Sequence, residues 1–383
     1  EAFTIEYQDG EIPLYCNVRY EGGMEGEWDL RNHYRDSFPI RLLAVDPFLS
    51  DDNRDTAQLT FRERATFNYV MQRLNGVWSE MNGGLSDVIN EIAIGPRGQV
   101  YACGSFTRAN NKTTATDPQI WANYIAYWDG VQWQKLSTGA NGVINSIAVA
   151  PNGDIYATGA FTTIGGVSCA RIAKWDGSTW TALGTGLANG SGLAVKVAPN
   201  GDVYVGGSFT QAGSVTAYYA ARWDGSSWHN MGLYLGMNNS VYSVAISLDG
   251  TQVYLGGAFT DEFGSPAIDA GVHVALYNPD NNQFSSLGDG LSDTVRRLVI
   301  SPSGRIHACG DFTASGSESI LYIAYWNGVS WYALGAGADD TVRDMSINTA
   351  GNIVAVGAFT EIGSVQARYA ALWNGSTWVA LDV

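Results

Sequence analysis

From Val143 to Gly159 the chain reads "VINSIAVAPNGDIYATG", two apolar stretches of alternating character around a Pro-Asn-Gly break. A period of two is the signature of a strand, and so short a break predicts two antiparallel strands joined by a tight turn. After a variable stretch comes "RIAKWDGSTWTALG", which predicts two more short strands about an Asp-Gly. The pattern recurs. Phe-Thr stands at Phe106, Phe161, Phe209, Phe259, Phe312 and Phe359, in steps of 55, 48, 50, 53 and 47 residues, so six units of four strands are evident. Four strands in a period of about 40–50 residues predict a β-propeller, whose radial repetition covers both faces of every sheet. The expected fold class is all-β: a β-propeller of four-stranded antiparallel blades preceded by a short β-rich segment.

Asn-Gly and Asp-Gly pairs mark the turns. Asn152-Gly153, Asn200-Gly201 and Asp249-Gly250 fall between the first two strands of a unit, and Asp129-Gly130, Asp176-Gly177, Asp224-Gly225, Asn327-Gly328 and Asn374-Gly375 between the last two. Such pairs suit a two-residue type I′ hairpin. With that register Trp175 pairs with Ser178 and Trp180 lies across from Ala173; the same arithmetic sets Trp133, Trp228, Trp331 and Trp378 across from Ala126, Ala221, Ala324 and Ala371. Large-on-small pairs of this kind predict blade packing for Trp128, Trp133, Trp175, Trp180, Trp223, Trp228, Trp326, Trp331, Trp373 and Trp378, rather than a sugar-binding platform. The fourth unit, "LYNPDNNQFSSLG", substitutes a longer loop and Phe284 but is still expected to close a blade. Ahead of the units, Asn68–Gly84 reads as the outer hairpin of a blade, with Asn75-Gly76 as its turn and Arg73 across from Trp78. It either joins a seventh blade, with "IRLLAV" (Ile40 to Val45) or with strands beyond Val383, or caps a ring of six. Six full blades are expected. The divisions are 1–55, a β-rich segment; 56–84, a connecting hairpin or partial blade; and 85–383, the propeller.

Charge narrows the partners. With 37 acidic and 21 basic residues the net charge is −16, which repels nucleic acid and anionic lipid, and no run approaches the ~18 apolar residues of a membrane span. Neither nucleic acid nor membrane insertion is expected. Cys16, Cys103, Cys169 and Cys309 are too scattered for a disulfide framework and are expected to be buried thiols.

Residues 1–55 carry no repeat. The strand "IPLYCNVRY", the following Gly22-Gly23, and a second strand running into "AVDPF" resemble the end of the N-terminal domain of siphophage distal-tail and minor tail proteins. The carriers are Arg19, Tyr20, Gly22, Gly23, Ala44, Asp46, Pro47 and Phe48. The blade phrase "VYVGGSFT…ARWDGSSW" is similar to propeller repeats of phage tail proteins and bacterial surface proteins. Together these resemblances imply a virion tail protein that assembles with other tail proteins, as a homo-oligomeric ring, and a segment missing ahead of Glu1. An extracellular or bacterial cell-surface propeller with a structural or protein-interaction role is the alternative, and a secreted glycan-active enzyme is a third reading.

No catalytic constellation stands out. His33, His229, His273 and His307 show no ligand spacing, and His307 with Cys309 reads as packing on one strand. No metal, no cofactor and no enzymatic activity are expected, although Asp87, Asp293 and Asp339-Asp340 recur in equivalent loops where calcium deserves a test. "GGSF" and "GGAF" sit within strands, where glycine serves close backbone approach rather than phosphate binding. The expected function is recognition of a host-surface glycan or protein. The candidates are Trp121, in the longest inter-strand loop (Thr107 to Asn123), and the residues four before each blade's first tryptophan position: Tyr124, Tyr219, Tyr322, Tyr369 and His273, with Arg171 in the remaining unit. The loop Thr260 to Val272 is the next longest. Second-to-third and fourth-to-first connections of a meander leave by the same face, where recognition is expected.

Overall fold

Ile155–Gly159, Val203–Gly207, Val253–Gly257, Ile306–Gly310 and Ile353–Gly357 are buried at every residue. A strand without a solvated side lies in a sheet covered on both faces. In the computed structural model each is the second strand of a four-stranded antiparallel sheet. The structure describes residue 81 and residues 84–96, 98–110, 120–264 and 272–381 in full, and the backbone of six strands within residues 2–80.

The six units form six such sheets. Their inner strands, Ile89–Ile94, Ile144–Val149, Gly192–Val197, Val241–Ile246, Val295–Ile300 and Val342–Ile347, stand side by side in chain order about a common axis. This is the all-β propeller that the repeat predicted. The fourth unit closes its blade as expected, through Val274–Asn278 and Gln283–Ser286 with Tyr277 across from Phe284.

A seventh four-stranded sheet comes from the start of the chain. Its order from the inside is Arg41–Ala44, Leu14–Val18, Tyr69–Leu74, Val77–Glu80. The Asn75-Gly76 hairpin has the expected register, Leu74 paired with Val77 and Arg73 with Trp78. It joins strands from residues 1–55, so a seventh blade stands where six full ones were expected. Arg41–Ala44 lies beside the inner two strands of blade six, just as each inner strand lies beside its predecessor. At the other side, Met81 follows the outer strand and accepts the Trp133 indole hydrogen bond from blade one at 2.9 Å. Both contacts close the ring. A separate pair, Ala2–Glu6 with Thr56–Thr60, lies outside the seven sheets. Arg19, Tyr20, Gly22, Gly23, Asp46, Pro47 and Phe48 fall outside the described residues.

Apolar clusters straddle the seams between blades: Ala148, Tyr156 and Ile172 of blade two share one with Val195, Val205, Phe209 and Trp228 of blade three. The six Phe-Thr phenylalanines are wholly buried. The second tryptophans are buried too, and their indoles cross the seams: Trp228 Nε1 donates to Leu183 O at 2.9 Å, Trp331 to Leu287 O at 3.0 Å and Trp378 to Leu334 O at 3.1 Å. Structural packing of the ten blade tryptophans is therefore seen, but not by the expected pairing. Trp175 faces Trp180 directly and Ala173 faces Ala182, with a four-residue loop between. The cause is the aspartate. Asp176 Oδ1 accepts the amides of Ser178 at 2.8 Å and Thr179 at 2.7 Å, and only Gly177, at φ +98°, is left-handed. A type I′ turn needs positive φ at both central residues. The indoles consequently pack on one another, with ring centroids 5.5 Å apart in this blade. The turns between the first two strands likewise put only their glycines at positive φ: Gly153, Gly201 and Gly250. Type I′ geometry appears instead at Gly165-Gly166 (φ +59°, +81°) and Gly363-Ser364 (φ +57°, +66°), in small hairpins between second and third strands. At Gly165 a Cβ would collide with the Trp180 ring, so the hairpin folds tightly over the outer strand.

Candidate functional site

The second-to-third and fourth-to-first connections interlock on one face, as expected. Ala140 bridges Ile164, Leu187–Ala188 pairs with Gln211–Ala212, Met237 bridges Glu262 and Ala338 bridges Ile362. A polar residue in each fourth-to-first connection caps the Phe-Thr corner of its blade. Asn141 Oδ1 accepts Thr162 N at 2.8 Å, Ser292 Oγ accepts Thr313 N at 2.9 Å, and Asp339 Oδ1 accepts Thr360 N at 2.8 Å. The Thr360 hydroxyl takes the second Asp339 oxygen at 2.6 Å, and together these bonds outweigh partial burial to hold the carboxyl below its ordinary range. Asp87, Asp293 and Asp340 each accept the next residue's amide at 2.6–2.7 Å. The equivalent acidic loops thus use their oxygens on the backbone, and among the described residues no three His, Cys, Asp or Glu gather as a metal site.

The aromatic row has a backbone cause. Tyr124, Arg171, Tyr219, His273, Tyr322 and Tyr369 are all left-handed, φ +63° to +68°. Each donates its amide to the corner phenylalanine carbonyl at 2.8–3.0 Å and accepts from the Gly-x-Phe glycine at 2.9–3.1 Å, as Tyr219 does with Phe209 and Gly207. A Cβ on such a glycine would strike the inner strand, as at Gly207 with Ser191 O, which bears out the close approach expected of "GGSF". The side chains are half-buried and point across seams: Tyr124 packs on the core shared by blades one and two, Tyr219 on that of blades three and four, and Tyr322 on that of blades five and six. His273 is buried and its Nδ1 lies 3.2 Å from Gly257 O; Arg171 donates to Leu187 O at 2.8 Å.

Trp121 is different. It is 62% exposed, the Arg108 guanidinium lies 4.6 Å from its ring centroid, and Arg108–Ala109 pairs with Ile120–Trp121 over the outer strand of blade one. Residues 111–119 of this loop, and 265–271 of the other long one, fall outside the described residues. On the same face Leu233, Tyr234, Leu235 and Phe263 are exposed, with Phe263 stacked on Tyr218 at 3.8 Å.

Sequence reasoning missed the axis. Each of blades one to six carries a bulge one residue into its inner strand, at Asn90, Asn145, Leu193, Tyr242, Arg296 and Arg343. A bulge re-aims its side chain. The visible signal was a polar pair interrupting the apolar alternation, as in "INEIAI", "INSIAV" and "VRDMSI". The second residue of that pair begins a charged layer beneath. Glu91, nearly buried, takes the Ser146 hydroxyl, the Ile147 amide at 3.1 Å, Lys196 Nζ at 3.1 Å and Arg297 Nη2 at 3.2 Å, while Arg297 Nε lies 3.3 Å from Asp344. Residues of blades one, two, three, five and six thus meet across the axis.

Cys103, Cys169 and Cys309 are buried thiols, as expected, and burial pushes Cys169 up to about 11. Cys16 lies in a strand described by its backbone alone. His307 is buried beside Tyr325, and desolvation, with Arg305 nearby, pulls its pKa down to about 4.

No curated protein matches the chain. The family model described as "Rax2 C-terminal beta propeller domain" matches residues 218–383, a stretch that runs from the third strand of blade three to the end of blade six, and so agrees with the propeller seen here.

Proposed function

We propose that the chain is a non-enzymatic recognition propeller, a tail-tip or minor tail protein of a phage virion that attaches to host-surface glycan through its loop face. The observation that carries the reading is Trp121: an indole wet over most of its surface and braced by Arg108, on a scaffold whose ten blade tryptophans pack in the seams. Aromatic faces stack on sugar rings, and a rigid ring of sheets presents them at little ordering cost. The tail assignment rests on the resemblance of residues 1–55.

The test is binding of the whole protein to immobilised host polysaccharides. Trp121→Ala, which removes no buried contact, is expected to weaken binding about ten-fold or more, equivalent to one lost stacking contact. Equal binding by the variant, or no binding by the parent protein, would sink the glycan reading. Shortened polysaccharide after incubation would overturn the non-enzymatic part. A second reading, an exported bacterial surface propeller that binds protein, is favoured by Leu233, Tyr234, Leu235 and Phe263, since exposed apolar groups clustered beside a rim mark protein contacts.

A further inference from the structure

The bulge residues of blades one to six line the loop-face end of the axis. On one side Asn90 and Asn145 reach to the next blade, donating to Ile144 O at 3.0 Å and Gly192 O at 2.9 Å. On the other stand Tyr242, Arg296 and Arg343, exposed and on three successive blades. Arg296 is pre-set: Asp311 takes its Nε at 2.8 Å and its Nη2 at 2.7 Å, and Asp311 is itself held by the Thr341 hydroxyl at 3.0 Å. That forked pair fixes the guanidinium plane and leaves its other N–H groups for a further acceptor. Tyr242 stands at the bulge of the inner strand next to that of Arg296, so an aromatic ring and a cation occupy equivalent places on neighbouring blades. Below the rim, the ion pairs of Glu91 with Lys196 and Arg297 cross the axis and set a charged layer under the mouth.

An aromatic face beside two guanidiniums, with amides opposite, is the chemistry that recognises a sugar ring bearing a carboxylate. We propose that this mouth binds an acidic saccharide, a uronic acid unit or its equivalent, with the carboxylate between Arg296 and Arg343 and the ring on Tyr242. In a chain of net charge −16, two arginines stand on neighbouring bulges, the first of them oriented by its pairing with Asp311. Carboxylate held by paired guanidiniums adds orientation to attraction, so the site selects the charged sugar over its neutral counterpart. The inference rests on the glycan reading above but assigns a different place on the same face.

Calorimetric titration of the whole protein with trigalacturonate, the neutral galactose trisaccharide, acetate and an oligoaspartate peptide tests it. Trigalacturonate alone is expected to bind. Arg343→Gln and Tyr242→Ala should each weaken it about ten-fold, the loss of one charge-assisted or one stacking contact, while Trp121→Ala leaves it unchanged. Equal binding of the neutral trisaccharide, acetate or the peptide overturns the proposal, as does retention of trigalacturonate by Arg343→Gln. If trigalacturonate fails to bind but host polysaccharide is retained through Trp121, this inference falls and the glycan reading stands; if neither binds, both fall.

Discussion

Left-handed backbone at six equivalent non-glycine positions is a repeated expense, since an L residue there costs about 1–2 kcal/mol. It persists because each such residue closes two backbone hydrogen bonds that knit the corner phenylalanine to the inner edge of its blade. A further case has no such return. Ser137 has φ +58° where three other seams have Gly184, Gly288 and Gly335 at φ +57° to +67°. A Cβ on Gly335 would sit 3.0 Å from Trp378 Nε1, in the path of the indole that crosses the seam. At the seam of blades one and two a Cβ is present, and there Trp180 Nε1 is buried without a partner among the described residues. Ser137→Gly should relieve the backbone, let the indole reach Leu136 O, and stabilise the protein by about 1 kcal/mol after the added freedom of the unfolded chain is counted. Thermal unfolding checks it; an unchanged or lower Tm would show that Ser137 is not what holds the indole away.

At the scale of one strand, His307 is the outlier. Its position on the second strand carries Tyr101, Tyr156, Tyr204 and Tyr254 in blades one to four, and its partner across the sheet, Tyr325, matches the Tyr101–Tyr127 pair of blade one. Because its folded pKa is about 4 against 6.5 for the free group, the unfolded chain takes up the proton first as pH falls. Stability is complete above pH 6.5 and declines toward pH 4, by about 3 kcal/mol in all. His307→Tyr rebuilds the blade-one pair, and its denaturant midpoint should lose this part of the slope while matching the parent at pH 8; parallel pH curves for the two proteins would contradict it. The count of four strands per repeat was readable because apolar alternation is imposed by burial on both faces. Register was not. The Asp-Gly pairs predict a two-residue turn by backbone preference, but Asp176 and Asp224 spend a carboxylate oxygen on two later amides and lengthen the loop. Likewise the rim residues were hidden by a bulge, which shows in sequence only as two polar residues out of phase, and Trp121 was found because it alone breaks the tryptophan repeat beyond residue 84.

Across the whole molecule, blades one to six follow one another in sequence, while the seventh is assembled out of order, its second strand preceding its inner one. The ring closes because that sheet touches blade six by Arg41–Ala44 and blade one by Met81. A chain beginning at residue 84 should keep six sheets yet expose the apolar flanks of blades one and six, so it should bind a hydrophobic dye and unfold over a broader range than the parent; a sharp, dye-free transition would mean that six blades suffice. The charged layer about Glu91 reinforces closure from within, since Lys196 and Arg297 tie it to blades that are not its neighbours. Closure also sets a timetable. Every other seam joins stretches made one after the other, whereas this one brings together residues about 300 positions apart, the inner strand of the seventh sheet with blade six. Contacts that distant are slow to form, and the cost of looping is met before any reward arrives. The closing seam is thus the expected rate-limiting step of folding, and a nascent chain holds an unfinished ring, with two apolar blade flanks to shield, until blade six has been made.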